Sequence, residues 1–379
     1  MKDSNDICIV TFFGTENYGS NIQALGLKHT LTSFGYGVSF LEKFSYKMFY
    51  IRHPQLTYAR LVNKLQKKQR KAFFLPEEYK KTEERETRLK KFTKDNFTLK
   101  SYVSSAEWKK AIEDKTIFIS GSDIVWNPAR GYPAVPFLDF AYYAGLSRFS
   151  YASSVGATKL PKKYYRAYKR YLGSMIEVGV REQSVVDMLE PIIHRKVTKV
   201  VDPSLLLTTD EWDKYAEKAK LSVPISKDGY ILCYFVMKDS RYWEYVKKIR
   251  EKTNKQIIVL PMHHIDEEQP YDIVLDGTPY EFIWLIKNAD FICTDSFHAC
   301  AVSLLYQKEF YLLRRTRKAE DAKYDDFLTR YHLSERVVSD ESVFNLKPCT
   351  DYSFAQEQLK KDREFSMEFL KKAIAECQK

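Results

Sequence analysis

Short runs of β-branched and aromatic residues alternate with helix-compatible segments along nearly the whole chain. Strands alternating with helices indicate βαβ units, which build parallel sheets covered by helices on both faces. The runs form two series, which suggests two Rossmann-like, doubly wound α/β domains. We predict strands at 7–12, 38–41, 117–120, 149–152, 176–180 and 197–201, and then at 231–236, 257–260, 291–294 and 310–313.

The length of the chain, 379 residues, also favours two domains. We expect an N-terminal α/β domain over 1–210, a C-terminal α/β domain over 211–350, and a C-terminal helix over 351–379 that packs back on the body. Residues 58–100 interrupt the βα rhythm with a charged helical pattern. We interpret that segment as a basic helical excursion from the first domain.

Composition excludes several classes of protein. With 44% hydrophobic and 29% charged residues, the chain is neither low-complexity nor wholly disordered. The N-terminus lacks the basic and apolar regions of a secretory signal, and no stretch of about 20 residues is free of charge. Six cysteines without CxxC spacing indicate neither a zinc knuckle nor a disulfide framework. We therefore expect a cytoplasmic protein.

Ligands of open α/β sheets bind at the carboxyl ends of the strands, so the residues that follow each strand are the candidates for a site. After the first strand come two glycines and two asparagines, with Asn17, Tyr18, Gly19 and Asn21 as the candidate binding residues. Their amides and side chains suit sugar hydroxyls or an anion, and a plain capped βα turn is the alternative.

Two further junctions add a carboxylate and an aromatic ring. Asp123 follows the strand at 117–120 and could orient or deprotonate a hydroxyl, while Trp126 could stack on a sugar ring. The alternative is a capping aspartate and a core tryptophan. Ser153 lies among small residues after the next strand, which by itself is a weak signal.

The last two junctions carry cationic chemistry. Arg181 emerges where a strand gives way to a helix, a position that favours an anion, although a surface ion pair is the alternative. Asp295 or Ser296 caps the helix after the strand at 291–294, and His298 lies in its first turn, where an imidazole can act as acid or base. No Walker A, GxSxG or HExxH motif occurs, and we expect no metal.

Together these junctions resemble the polysaccharide pyruvyl transferase family. The matching pieces, in family order, are NYGSNIQA at 17–24, GSDIVWNP at 121–128, ASSVG at 152–156, VREQS at 180–184, VDPSLLL at 201–207 and TDSFH at 294–298. The resemblance implies two GT-B-like domains. It also implies transfer of pyruvate from phosphoenolpyruvate to two hydroxyls of a sugar, which makes a cyclic ketal on a surface polysaccharide or its lipid-linked precursor.

The chemistry of the reaction that the resemblance implies suggests roles for the candidate residues. His298 would be the general acid, Arg181 the anion clamp, Asp123 the base or orienter of the acceptor hydroxyl, and the loop from Asn17 to Asn21 the acceptor contact, with no cofactor. Family members often carry an arginine two residues before this histidine, where the chain has Ser296. The donor would then depend on Arg181, with Arg314 and Arg315 after the last strand.

The basic excursion finds a role within this resemblance. Residues 60–100 hold 14 basic and 6 acidic side chains, which is +8 of the total +11. Such a segment suits the anionic inner face of a membrane, where a lipid-linked acceptor lies, although a solvated helix pair is the alternative. It lacks the aromatic interleaving that nucleic-acid binding needs.

Two other functions stay open. A GT-B-like glycosyltransferase would use the same helix N-termini and arginine to hold the diphosphate of a nucleotide sugar. A non-catalytic member of the fold would keep the architecture while Ser296 stands in place of a donor-binding arginine.

Overall fold

Two open parallel sheets form the framework, each covered by helices on both faces. The structure, a computed structural model, describes residues 6–44, 83–128, 136–262, 265–266, 268–313, 322–338 and 351–379. The first sheet lies within residues 7–199 and the second within residues 230–338.

The first sheet has seven strands in the order β3-β2-β1-β4-β5-β6-β7. These are β1 (Ile7–Val10), β2 (Val38–Phe44), β3 (Leu99–Tyr102), β4 (Ile117–Ser120), β5 (Arg148–Ser153), β6 (Val178–Val180) and β7 (Thr198–Lys199). Its helices are α1 (Tyr18–Ser33), α2 (Glu83–Asn96), α3 (Ser105–Glu113), α4 (Asp139–Ala144), α5 (Tyr165–Tyr171) and α6 (Gln183–Ile193), with 3-10 turns at Lys162–Tyr164 and Pro203–Leu205.

The second sheet has six strands in the order β10-β9-β8-β11-β12-β13. These are β8 (Tyr230–Tyr234), β9 (Gln256–Val259), β10 (Ile273–Val274), β11 (Phe291–Thr294), β12 (Glu309–Leu313) and β13 (Val337–Val338). Its helices are α7 (Thr209–Ala216), α8 (Arg241–Thr253), α9 (Pro279–Asn288), α10 (Phe297–Leu305) and α11 (Ala322–Arg330), with a 3-10 turn at Ser334–Arg336, and α12 (Ser353–Cys377) follows.

In both sheets the chain begins with a central strand and adds strands in order toward one edge. It then returns to the centre and adds strands toward the other edge. In each, the strand order reverses beside the first strand, between β1 and β4 and between β8 and β11. This is the Rossmann order, with a crevice for ligands at the reversal. The predicted fold class, two Rossmann-like domains in a GT-B-like arrangement, is confirmed.

All ten predicted strands are present, and the described residues contain three further strands that were not predicted. β3 is a polar edge strand, LKSY, and β10 and β13 have two residues each, so none carries a long apolar run. The helical prediction for 58–100 is wrong at its end, because α2 stops at Asn96 and β3 begins at Leu99. Residues 58–82 of that excursion lie outside the described residues, and the domain limits at 210 and 350 stay predictions.

The buried first strand shows why these residues form a sheet with two covered faces. Side chains alternate between faces along a strand, and all four residues of β1 are apolar and fully or almost fully buried. Ile7 and Ile9 join one core, whereas Cys8 and Val10 join the core on the opposite face.

Helix α1 lies between the two halves. Twelve of its sixteen residues are buried, which is the pattern of a helix covered on all sides. Ile22 and Leu25 of α1 belong to the same apolar cluster as Phe282 of α9 and Leu304 of α10. The two domains therefore share one continuous core.

The C-terminal helix α12 also contacts both halves. At its start, the Tyr352 hydroxyl donates a hydrogen bond to the carbonyl of Lys308, at 2.6 Å. Farther along, Ser366 accepts a hydrogen bond from the amide of Val201, at 3.0 Å, and the carbonyl of Cys377 accepts one from Ser147. The helix thus runs from the second domain back onto the first.

Gly26 in α1 permits a close approach between this helix and the 3-10 turn at Pro203–Leu205, which gives a prediction for stability. A Cβ at Gly26 would lie 2.3 Å from the carbonyl oxygen of Pro203, in the 3-10 turn. We expect Gly26→Ala to lower the free energy of unfolding by about 1–3 kcal/mol through overpacking, despite the better helix propensity of alanine. Urea unfolding measures this.

The matched control is Gly35→Asn at the end of the same helix. Gly35 has φ +91° and no atom within 4 Å of the added Cβ, and asparagine tolerates positive φ. Equal losses from the two substitutions would contradict the close-approach argument.

Candidate active site

The candidate site lies where the carboxyl ends of strands from the first sheet meet the start of α10 from the second domain. The chain segments that converge there follow β4, β6 and β7, together with the first turns of α1 and α10. Polar side chains are brought together at this point although they are distant in sequence.

Asp202, just after the end of the first sheet, is the centre of the cluster. Its side chain is fully buried. Oδ2 accepts hydrogen bonds from Nη1 of Arg181 and from the hydroxyl of Ser122, both at 2.9 Å. Oδ1 accepts from the amide and the hydroxyl of Ser204, at 2.9 and 2.7 Å. His298 Nε2 lies 3.5 Å from Oδ2, near enough for charge interaction but long for a hydrogen bond.

The electrostatics of Asp202 follow from these partners. Burial alone would raise the pKa of this carboxyl, but His298, Arg181 and the amide of Ser204 hold the pKa well below its usual range. The group is therefore a carboxylate at all physiological pH values.

Arg181, directly after β6, is buried between two carboxylates. Its Nε donates to Glu182 at 2.9 Å and its Nη1 donates to Asp202. Burial alone would lower the pKa of the guanidinium, but Glu182, Asp202 and Asp123 raise it above its usual value. The guanidinium carbon lies 4.4 Å from the centre of the Phe297 ring, a cation–π geometry. Among the described residues, Nη2 donates no hydrogen bond, so it is available to a ligand.

A cavity of about 310 Å³ adjoins this guanidinium. Arg181, Glu182 and Asp202 line it on one side, and α11 and α12 supply Arg330 and Asp362 on the other. Arg330 and Asp362 form a bidentate ion pair with each other. Lys199 also lines the cavity and is paired with Asp326, so each of the three cations that line it has a carboxylate partner.

His298 sits in the first turn of α10, whose N-cap is Ser296. The ring of His298 packs directly on Gly19, because a Cβ there would lie 2.3 Å from Nδ1. Gly19, predicted to bind an acceptor, is thus placed against the imidazole from the other domain. Only a residue without a side chain permits this contact.

Asp123 lies near the same cluster and has an unusual backbone. Its φ is +74°, a left-handed conformation that aspartate tolerates better than most residues. Oδ2 accepts a hydrogen bond from the hydroxyl of Ser20 at 3.1 Å, and Oδ1 accepts one from the amide of Ile124. The first turn of α1 therefore contacts both Asp123, through Ser20, and His298, through Gly19.

The other predicted residues of the first junction form hydrogen bonds with both nearby and distant parts of the protein. Asn17 caps α1 and accepts a hydrogen bond from the hydroxyl of Tyr234, at 3.4 Å. Asn21 is buried and holds the loop through Gly14 and Thr15. The hydroxyl of Tyr18 donates to the carbonyl of Gly277 and accepts from Arg85. Asn17 is the half-buried member of the set.

Trp126 and Ser153 are part of the core. The Trp126 ring is fully buried, and its Nε1 donates to the hydroxyl of Ser120 at 3.1 Å. Ser153 is also fully buried and donates to the carbonyls of Ser120 and Gly121. Neither side chain presents a surface to an acceptor, so the alternative of a core tryptophan agrees with the structure.

Ser296 and Asp295, which precede His298, form hydrogen bonds to neighbouring backbone. Ser296 is buried and accepts a hydrogen bond from the amide of Ala299 as the N-cap. Asp295 accepts hydrogen bonds from the amides of Val236 and Met237, so it fixes the loop after β8. Arg314 and Arg315 lie outside the described residues.

Sequence reasoning did not single out Asp202 and Glu182 as site residues. Both lie in pieces that resemble the family, Glu182 in VREQS and Asp202 in VDPSLLL, but neither was given a role. The available signal was position, because Asp202 directly follows the strand at 197–201, as the predicted site residues follow theirs.

The buried ion pair predicts a pH-dependent loss of stability. Asp202→Asn leaves Arg181 without one carboxylate, and removing one partner of a buried pair costs about 3–5 kcal/mol. Because the folded pKa of Asp202 is depressed, its stabilisation is present above about pH 4 and is lost as pH falls below that value. The deficit of the variant measured by urea unfolding should therefore shrink between pH 7 and pH 3.

The control for this experiment is Asp187→Asn, which changes an exposed carboxylate on α6. We expect a change within about 0.5 kcal/mol at every pH. A constant deficit of Asp202→Asn from pH 7 to pH 3 would contradict the linkage.

The contact between Gly19 and His298 predicts a local displacement. Gly19→Ala places a methyl group where Nδ1 now lies, so the imidazole must move. We expect the ring resonances of His298 to shift in nitrogen-15 histidine spectra while those of the exposed His194 stay unchanged. Gly35→Asn is the control, and unshifted His298 resonances would contradict the contact.

Within the described residues, no group of three or more metal-ligating side chains has the geometry of a metal site. In the same part of the chain, no helix combines the length and the apolar character that crossing a bilayer requires.

Comparison with solved structures finds proteins of low similarity that align over nearly the whole chain. UDP-GlcNAc 2-epimerase from Neisseria meningitidis bound to UDP-GlcNAc is 11% identical, with a TM-score of 0.49 over 98% of this chain and 94% of that one. The glycosyltransferase SnogD from Streptomyces nogalater is 10% identical, with a TM-score of 0.40 over 99% of both chains. ADP-heptose lps heptosyltransferase II from E. coli is 9% identical, with a TM-score of 0.36 over 94% of this chain and 99% of that one.

Sequence comparison is more specific. No curated protein matches the chain. The family description polysaccharide pyruvyl transferase matches residues 17–317, which include every part of the cluster around Asp202. The match covers most of the chain, and the chain belongs to the polysaccharide pyruvyl transferase family.

Proposed function

We propose that the chain transfers pyruvate from phosphoenolpyruvate to two hydroxyls of one sugar, which forms a cyclic ketal on a polysaccharide or its lipid-linked precursor. Membership of the family supports transfer to a polysaccharide in general. The observation that carries the finer proposal is the buried Asp202, which holds an arginine and a histidine together beside a cavity.

The proposed reaction needs one proton donor and one anion site. A proton adds to the methylene carbon of phosphoenolpyruvate, which becomes the methyl group, and the adjacent carbon becomes an electrophile. One sugar hydroxyl adds to that carbon, phosphate leaves, and the second hydroxyl closes the ketal. Of the two protons that leave the hydroxyls, one restores the acid and the other goes with phosphate or to solvent.

Arg181 is the proposed clamp for the donor. Phosphoenolpyruvate carries a phosphate and a carboxylate, and the planar guanidinium fork suits either. Nη2 is the free donor, and the adjoining cavity of about 310 Å³ exceeds the size of such a ligand. Ser296, with Arg314 and Arg315 after β12, completes the donor side in this proposal.

His298 is the proposed general acid, and Asp202 is its positioning residue. The carboxylate lies 3.5 Å from Nε2, and Gly19 supports the opposite side of the ring. Asp123, with Ser20 donating to its Oδ2, is the proposed base or orienter of the acceptor hydroxyl. Asn17, at the half-buried start of α1, is the proposed acceptor contact, while Tyr18, Asn21, Trp126 and Ser153 maintain the shape of the site.

The proposal includes the environment of the reaction. Protonation of the methylene carbon of an enol phosphate needs a Brønsted acid rather than a Lewis acid. We therefore propose a reaction without metal or cofactor. We place the enzyme in the cytoplasm, with the basic residues 60–100 attracted to the anionic inner face of the membrane that carries a lipid-linked acceptor.

Donor binding tests the proposal without knowledge of the acceptor. Phosphoenolpyruvate at 100 times its dissociation constant should stabilise the wild type by about 2.7 kcal/mol in thermal-shift measurements. Arg181→Lys keeps a positive charge beside Asp202 but removes the fork, so most of that stabilisation should disappear. Stabilisation by a nucleotide sugar alone would favour glycosyl transfer, and no response to any donor would favour a non-catalytic member.

The proton donor has a separate test. His298→Ala should lower kcat for ketal formation by about 10²- to 10⁴-fold while phosphoenolpyruvate still stabilises the protein, because the variant loses acid catalysis rather than the clamp. His194→Asn, which changes an exposed histidine at the end of α6, is the control. Near-normal turnover of His298→Ala would remove His298 from the mechanism.

A further inference from the structure

A wide groove on the outer face of the first domain has an unusual charge. It lies between α5, with the segment before it, and α6, and it has an open volume of about 1180 Å³. Its rim carries Lys159, Lys162, Arg166 and Lys169, and apolar side chains such as Leu160 and Ile192 lie between the two sides.

The positive charge extends beyond the groove and is not neutralised locally. Residues 157–176 contain six basic side chains and no acidic one. All six are exposed, and none forms an ion pair with another described residue. The one acidic residue that lines the groove is Asp187, which accepts a hydrogen bond from Gln183.

The packing of α5 against the core exposes these cations to solvent. Ala167, Tyr168 and Tyr171 bury one side of α5 in the core, where the Tyr168 hydroxyl bonds to the carbonyl of Trp126. The other side of the short helix therefore presents Arg166, Lys169 and Arg170 to solvent, with the ring of Tyr165 beside them. We call this surface, residues 159–170 with the facing side of α6, the basic face.

We propose that the basic face docks on a bilayer that contains anionic phospholipid. Clusters of four to eight lysines and arginines on an amphipathic segment bind anionic lipid surfaces, and an exposed tyrosine suits the headgroup region. The groove is far wider than a phosphate ion, and its cations are long, exposed side chains without fixed partners. These features favour attraction to an extended charged surface over a built site for one small anion.

Nucleic acid is the other polyanion to consider. Single strands are bound by rows of aromatic rings on which bases stack. Four tyrosines occur in residues 164–171, but Tyr164, Tyr168 and Tyr171 are buried, and Tyr165 alone is exposed. The face lacks a stacking row, so the lipid surface fits better.

The position of the basic face relates it to the candidate site. Ser184, which lines the groove, is three residues from Arg181, and Thr158, which also lines it, follows β5 in the chain. Docking would bring the carboxyl edge of the first sheet near the headgroups. The inference adds a second contact to the membrane association proposed for residues 60–100, and it rests on the proposed function only for its biological purpose.

Vesicle binding by the full chain tests the inference. The wild type should bind vesicles of phosphatidylcholine and phosphatidylglycerol at 7:3 and should bind pure phosphatidylcholine vesicles weakly. The triple variant Lys162→Gln, Arg166→Gln, Lys169→Gln should lower the partition coefficient for the anionic vesicles by roughly 100-fold, since each charge contributes about a fivefold factor.

The matched control is Lys109→Gln, Lys110→Gln, Lys361→Gln, which removes three exposed charges from α3 and α12. Equal partition coefficients for the two triple variants would overturn the inference, as would binding that ignores phosphatidylglycerol. So would a triple variant that loses affinity for a single-stranded oligonucleotide but not for vesicles. Vesicle binding needs no turnover, so a missing phosphoenolpyruvate response would count against the proposed function alone.

Discussion

A buried carboxylate without partners would cost several kcal/mol, and the polar part of this structure is arranged around avoiding that cost at Asp202. Arg181 arrives from the end of β6, Ser122 from the end of β4, Ser204 from the following 3-10 turn, and His298 from the other domain. Each partner stabilises the carboxylate through a hydrogen bond or a charge interaction. The geometry of the candidate site therefore follows from the electrostatic needs of one buried group.

Helix α1 supplies the second constraint, which is steric. Gly26 lets the helix touch the turn that contains Pro203, and Gly19 lets it touch the imidazole of His298. Between these points, buried apolar residues such as Ile22 join the cores of both domains. The same helix that fills the interface thus also sets the distance between the two parts of the site.

The fold was predictable from the sequence because buried parallel strands are short apolar runs, as in β1, and turn residues separate them. The carboxyl-end rule also identified Arg181, Asp123 and His298, which the fold does bring close together. Sequence could not show that Trp126 is buried, because tertiary packing, including the ring of Phe137, covers it. Sequence could not identify Asp202 as the centre of the site either, because the partners of a buried charge are fixed by tertiary contacts.

His298 belongs to the second domain, whereas Asp202, Arg181 and Gly19 belong to the first. Any rotation between the domains would separate the proposed acid from both its carboxylate and its steric support, while Arg181 would keep its own carboxylates. Binding of the donor by Arg181 therefore would not depend on domain closure, whereas protonation by His298 would. A ligand that contacts both Arg181 and His298 would therefore stabilise the arrangement of the two domains seen here.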